Sequence, residues 1–254
     1  MQCEFRSSLA GGRVLVGTFI KTSSPETAEL LGHAGMDYAI LDAEHAPLDL
    51  GRIDRIVLGA RSSGLPCLVR IPSLVPGLIG QVLDLGAAGI VVPQIRTADD
   101  ARTAVAEARY AGRRGYSPST RAANYGFCDT ELYAEQADAA ATVWCQIENS
   151  HAMDNLEAIA AVESVDLLLI GRADLALSLG CAAGDPRLDA AVDAIIAAAK
   201  RHRRKIAIYV ASMDEAPAFA AKGVSVFICG SDLSHLAAAS QAMLRARDAL
   251  ASGG

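Results

Sequence analysis

Val14-Leu15-Val16-Gly17-Thr18-Phe19-Ile20-Lys21-Thr22-Ser23-Ser24-Pro25 begins as a mostly apolar run and passes through a polar turn to a proline suited to a first helical turn. A doubly wound open sheet would place a glycine-rich phosphate loop at this first strand-to-helix turn. Thr18-Phe19-Ile20-Lys21-Thr22 has no glycine, so the stretch reads as a plain βα unit. Outward from it, strand-sized apolar runs recur at 38–42, 66–71, 89–93, 143–148, 166–171, 206–210 and 224–229, which with 14–20 makes eight. Helices are expected to begin between them, near Pro25, Leu48, Pro76, Thr97, Ser150, Arg187, Asp214 and Asp232. Start signals mark several: prolines at 25, 47 and 76, and cap residues Ser24, Asp49, Asp214 and Ser231. Continuous apolar strands imply a parallel sheet buried on both faces. Eight such units predict an α/β fold, a closed (β/α)8 TIM barrel forming one domain over residues 1–254.

Composition bounds the partners. Of 254 residues 52% are hydrophobic, 20% charged and only 5% aromatic, with a net charge of -6, which excludes disorder and leaves packing to aliphatic side chains. No apolar run approaches the roughly 20 residues a bilayer requires, so no membrane partner is expected. The one basic run, Arg201-His202-Arg203-Arg204-Lys205, suits a helix C-terminus better than a nucleic-acid surface. The opening Met-Gln-Cys-Glu-Phe-Arg lacks the order of a secretory signal, which points to the cytoplasm. Cysteines at 3, 67, 128, 145, 181 and 229 form no CxxC pair and read as reduced. Residues 112–130, rich in Arg, Ser, Gly and Tyr, read as a long irregular segment, either functional or a surface excursion.

Barrel enzymes keep their chemistry at the C-terminal ends of strands. Those ends carry Asp42-Ala43-Glu44-His45, Arg70, Gln94, Gln146-Ile147-Glu148 and Gly171-Arg172-Ala173-Asp174. Glu148 is a poor helix cap at the end of a buried run, whereas Asp174 reads as either a cap or a ligand. Two carboxylates with otherwise open coordination suit a hard divalent cation such as Mg²⁺ or Mn²⁺. Arg70, a cation ending an apolar strand, must be paired or await an anion. His45 beside two acids reads as a base or as a loop histidine. A Schiff-base mechanism needs a desolvated lysine on a strand near the open rim. Of the four lysines, Lys200, Lys205 and Lys222 are misplaced and Lys21 lies past its strand in a polar loop, so metal-assisted enolate chemistry is the better reading.

Gly17-Thr18-Phe19, Leu41-Asp42-Ala43-Glu44-His45, Val69-Arg70, Leu83-Asp84-Leu85-Gly86-Ala87, Val92-Pro93-Gln94, Gln146-Ile147-Glu148 and Ile170-Gly171-Arg172-Ala173-Asp174-Leu175 resemble, in order and across nearly the whole chain, the metal-dependent pyruvate aldolases of the HpcH/HpaI aldolase/citrate lyase family. The resemblance implies a divalent cation, Mg²⁺ or Mn²⁺ with Co²⁺ a third candidate, held by Glu148 and Asp174 and chelated by pyruvate. It implies that Gln146 and the Ala173 backbone hold the substrate, that Arg70 stabilises the enolate oxygen, and that His45 is the acid/base. Asp84 would support the His45 of a neighbouring subunit in a hexamer built as a trimer of dimers, with the C-terminal helix serving that packing. Asp42 would orient the His45 imidazole, and Glu44 would hydrogen-bond water on the cation. The family commonly has Gly-Pro-Ala-Asp where this chain has Gly171-Arg172-Ala173-Asp174, and 113–126 is unusually rich in cations and hydroxyls. Both departures favour a more anionic acceptor, read by Arg121 or Arg172.

Three functions follow as expectations. The first is reversible cleavage of a 4-hydroxy-2-oxo acid to pyruvate and an aldehyde. The second keeps the enolate site but condenses oxaloacetate with acetyl-CoA to citrate for siderophore assembly. The third is a barrel without catalysis that serves as a binding or assembly module.

Overall fold

The apolar runs form strands β1 (Leu15–Ile20), β2 (Tyr38–Asp42), β3 (Cys67–Arg70), β4 (Gly89–Val92), β5 (Thr142–Ile147), β6 (Leu167–Ile170), β7 (Lys205–Val210) and β8 (Val226–Ser231). The computed structural model describes residues 2–252, with side chains from Glu4 to Leu250. Each strand pairs in parallel with the next and β8 returns to β1, closing the barrel. The helices are α1 (Gln2–Gly11), α2 (Pro25–His33), α3 (Leu50–Ser62), α4 (Leu78–Asp84), α5 (Ala98–Ala108) and α6 (Tyr133–Ala140). They continue as α7 (Ser150–Asp154), α8 (Leu156–Ala160), α9 (Arg172–Ser178), α10 (Pro186–Arg201), α11 (Ala216–Ala221) and α12 (Asp232–Ser252).

Two apolar cores result, because successive strand residues face opposite sides. One lies between sheet and helices and is aliphatic, with Ile56, Ile79, Ile90, Val143, Ile170 and Ile195 fully buried. The other fills the barrel and includes Leu15, Tyr38, Ile40, Leu68, Trp144, Leu169 and Ile228. Gly17 is required here, since a Cβ would meet the Tyr38 ring at 2.5 Å. Helix α1 closes the N-terminal end by laying Phe5 and Leu9, each 3% exposed, against this interior. Phe5 stands 5.8 Å from the Tyr38 ring and 6.4 Å from Trp144. Burying two such side chains contributes about 3–6 kcal/mol.

The differences from expectation are local. Helices expected near Leu48 and Thr97 start at Leu50 and Ala98, because Asp49 and Thr97 are the caps themselves; Thr97 and Asp100 form a capping box. Asp214 lies in a 3₁₀ turn that precedes α11. Strand β8 ends two residues later than expected, because its pairing with β1 runs from Leu15↔Val226 to Phe19↔Ser231 across a bulge. Helix α1 was not foreseen: Phe5 and Leu9 alone make its apolar stripe. Helices α6 and α9 were also missed, each being too short for a repeating pattern. Residues 112–130 are irregular except for a short 3₁₀ turn in which Asn124 and Tyr125 are left-handed. Cys67, Cys128, Cys145, Cys181 and Cys229 carry free thiols; Cys3 lies outside the described side chains. Among the described residues no helix is long and apolar enough to cross a membrane.

Candidate active site

Asp42, Arg70 and Gln146 share the inward phase of Ile40, Leu68 and Trp144 on their strands, so the alternation that fills the barrel also aims polar groups into its C-terminal mouth. Asp42 and Arg70 are register partners on β2 and β3. Arg70 forks onto Asp42, Nε to Oδ1 at 3.0 Å and Nη2 to Oδ2 at 2.9 Å, and its Nε lies 3.3 Å from Glu44 Oε2. The guanidinium stands 4.5 Å over the Phe19 ring. Pairing of this kind is what makes a nearly buried arginine tenable. Burial pushes the Asp42 carboxyl up, but the Arg70 charge and hydrogen bonds from the His45 backbone, Arg70 and Lys21 outweigh it and hold the group below its ordinary range. Glu44 goes the other way, raised by burial and by the neighbouring Asp42 and Asp174 charges against the pull of Arg70.

Glu148 is 1% exposed. Its Oε1 accepts from Gln94 N at 2.7 Å and its Oε2 from Gln146 Nε2. Burial, reinforced by the charges of Asp174 and Glu44, pushes its carboxyl up to about 6 against those hydrogen bonds. Gly171 lets the backbone pass close by, since a Cβ there would meet Glu148 Oε2 at 2.8 Å. Asp174 lies in the first turn of α9, whose N-cap is Gly171 with no side-chain cap. Its carboxylate therefore does not cap the helix.

This donor set fits a divalent cation. The Asp174 charge raises both the Glu44 and the Glu148 carboxyls, and the Glu44 charge adds to the second; the buried Gln146 Oε1 has no hydrogen-bond partner. Among the described residues no three His, Cys, Asp or Glu side chains form a cage. Two carboxylates with positions left for water and a chelating substrate suit Mg²⁺ or Mn²⁺ better than a structural zinc. With Glu148 as a ligand, proton and cation would compete for it. Affinity for Mn²⁺ is therefore expected to weaken about tenfold from pH 7 to pH 5, read by titration calorimetry; a flat profile would exclude Glu148 as ligand. Without a cation, the raised carboxyl adds stability fully present below its ordinary 4.5 and lost as pH rises through about 6.

A cavity of about 230 Å³ opens at this mouth, lined among others by Phe19, Lys21, Arg70, Gln146, Arg172 and Asp174. Ala173, Tyr209 and Ser231 also stand on its wall. Of the residues singled out in the sequence, Arg70, Gln146, Arg172, Ala173 and Asp174 line it, while Asp42 and Glu148 bond to lining groups from below. His45 stands at the rim, half exposed, with Nε2 3.6 Å from Glu44 Oε2. Asp42 meets His45 through the backbone N at 3.1 Å rather than through the imidazole. Asp84 and Arg121 are not brought to this cavity within one chain. Asp84 pairs with Arg114 at 2.6 Å and Arg121 with Asp54 at 2.8 Å. Tyr209 and Ser231 of this wall carry no signal in the sequence, and Lys21 reads there as a polar-loop residue. For Lys21 a usable signal existed: it is the lysine that follows a strand at the correct rim.

The HpcH/HpaI aldolase/citrate lyase family profile matches residues 15–239. The chain is 35% identical over 242 residues to a 5-keto-4-deoxy-D-glucarate aldolase of Klebsiella pneumoniae subsp. pneumoniae, covering 94% of each. Its structure superposes on an HpcH/HpaI aldolase/citrate lyase family protein from Burkholderia cenocepacia J2315 with a TM-score of 0.91 at 32% identity, covering 96% of this chain and 99% of the other. A similar HpcH/HpaI aldolase from Desulfitobacterium hafniense DCB-2 gives 0.90 at 25%, with 95% of each covered.

Proposed function

The chain belongs to the HpcH/HpaI aldolase/citrate lyase family and is a carbon–carbon lyase of the class II aldolase kind; from that premise we propose the substrate class and the part each residue plays. The substrate is a 4-hydroxy-2-oxo acid, cleaved reversibly to pyruvate and an aldehyde. The observation that carries this reading is the convergence of Arg70, Gln146 and Asp174 on one cavity, with Glu148 bonded to Gln146 beneath it. Glu148 and Asp174 would hold the divalent cation, Mg²⁺ or Mn²⁺ with Co²⁺ a third candidate. When bound it supplies a Lewis acid that polarises the 2-oxo group.

Gln146 and the Ala173 backbone hold the pyruvate portion. Arg70 donates to the oxygen that becomes anionic as the C3–C4 bond breaks, and its pairing with Asp42 fixes it before the charge develops. His45, directly or through a water, removes the 4-hydroxyl proton as the aldehyde forms, with Glu44 beside its ring. In a hexamer, a trimer of dimers, Asp84 supports the neighbouring subunit's base. The exposed Leu236, Met243 and Leu250 of α12 offer apolar surface for that packing. The setting is cytoplasmic, without nucleic-acid or membrane partners.

Pyruvate incubated with protein and Mn²⁺ in deuterated water tests the reading: the methyl proton signal is expected to disappear. A persistent signal would overturn enolate formation. Citrate formation and a non-catalytic barrel are less supported readings, since the curated relatives matched over 94% of the chain are aldolases.

A further inference from the structure

Three cations line the cavity, and two are each held by more than one partner. Arg70 is clamped by Asp42 and Glu44 through Nε and Nη2, and its remaining donors serve the enolate oxygen in the reading above. Arg172 donates to the Tyr209 carbonyl at 3.0 Å and to Glu215 Oε2 at 2.7 Å, with its guanidinium 5.0 Å over the Phe219 ring. Lys21 differs. Its Nζ makes one contact, 3.2 Å from Asp42 Oδ2, a carboxylate whose charge the Arg70 fork already matches. An ammonium has three hydrogens to donate, and 30% of this side chain remains exposed.

The loop that carries Lys21 is fixed. Asp232, first residue of α12, accepts from Lys21 N and Thr22 N at 3.0 Å each and from Thr22 Oγ1 at 2.7 Å. Lys21 is thus presented from the end of β1, beside Ser231 of β8. In the closed order β1 stands across the barrel from β5, which leads into Glu148. A substrate anchored by its 2-oxo acid end near Glu148 and Asp174 directs its far end toward the β1–β8 wall.

We propose that Lys21 selects acceptor aldehydes bearing a carboxylate, its ammonium pairing with that carboxylate on the β1 wall; this rests on the aldolase reading above. The class fits the name of the Klebsiella relative, whose glucarate-derived substrate carries an acid at each end. Arg172 is held by Glu215 and the Tyr209 carbonyl and Arg121 by Asp54, whereas Lys21 makes a single contact from the cavity wall and has two further hydrogens to donate.

The test compares succinic semialdehyde with butanal, a neutral aldehyde of matching length, in Mn²⁺-dependent addition to pyruvate, as the ratio of their kcat/KM values within each protein. Taking a ratio cancels any general loss from disturbing Asp42. Lys21→Met is expected to cut the preference for the acid about 30-fold, mostly through KM, and Lys21→Arg to keep most of it. An unchanged ratio in Lys21→Met, whether or not both rates fall, would overturn the proposal. Exchange of the pyruvate methyl in the unmodified protein is run alongside. If it fails, the aldolase reading falls and this inference with it; if it succeeds, the ratio bears on Lys21 alone.

Discussion

Arg70→Ala is expected to lower kcat for retro-aldol cleavage about a thousandfold, with a smaller change in KM, because the interaction removed matters most when the oxygen becomes anionic. The geometry adds a second loss. Asp42 is wholly buried and takes both arms of the Arg70 fork, so deleting Arg70 leaves a buried carboxylate with Lys21 as its remaining cation. The melting temperature is expected to drop by several degrees as well. Arg70→Lys separates the effects. A lysine can neutralise Asp42 but cannot span both oxygens and also present a planar donor to substrate, so stability should recover more than kcat does. A kcat within tenfold of the unmodified protein in Arg70→Ala would remove Arg70 from the chemistry.

Stripping divalent cations with a chelator is expected to abolish cleavage, by about a thousandfold or more, with recovery on adding Mg²⁺ or Mn²⁺. Glu148→Gln should reproduce most of that loss at ordinary cation concentrations and weaken Mn²⁺ binding at least a hundredfold by calorimetry. The amide keeps a carbonyl acceptor for Gln94 N but lacks the charge. It also removes the charge whose burial, with Asp174 and Glu44 beside it, drives the Glu148 carboxyl up to about 6. The variant is therefore expected to melt no lower than the cation-free parent. Full cleavage after exhaustive chelation would contradict the metal-dependent route; unchanged Mn²⁺ affinity in Glu148→Gln would place the cation elsewhere.

The barrel was legible because each buried strand is a continuous aliphatic run bounded by caps and turns, and the first turn lacks a phosphate loop. Strand-end positions gave Arg70, Gln146 and Asp174, which the structure places around one cavity. Orientation was less legible. Two acids flank His45 in sequence, but Asp42 points inward on its strand to Arg70 and meets only the His45 backbone, leaving Glu44 nearer the ring. Nor could the sequence say which cations are already partnered. Arg121 and Arg172 look free as text, and their partners Asp54 and Glu215 lie 67 and 43 residues away. Lys21 reads in the sequence as a polar-loop residue, and the residue that fixes its backbone, Asp232, lies 211 positions away.

Along β5 the inward side chains run from Trp144, packed with Tyr38 and Phe5 at the closed end, through Gln146 to Glu148 at the open one. Four residues of strand cover about 13 Å, so robustness and reactivity are separated by only that distance on a single ribbon. The aromatic end can absorb the destabilisation that a reworked rim brings. Descendants of this sequence can thus explore new acceptors by changing rim loops while their ability to fold is underwritten from beneath.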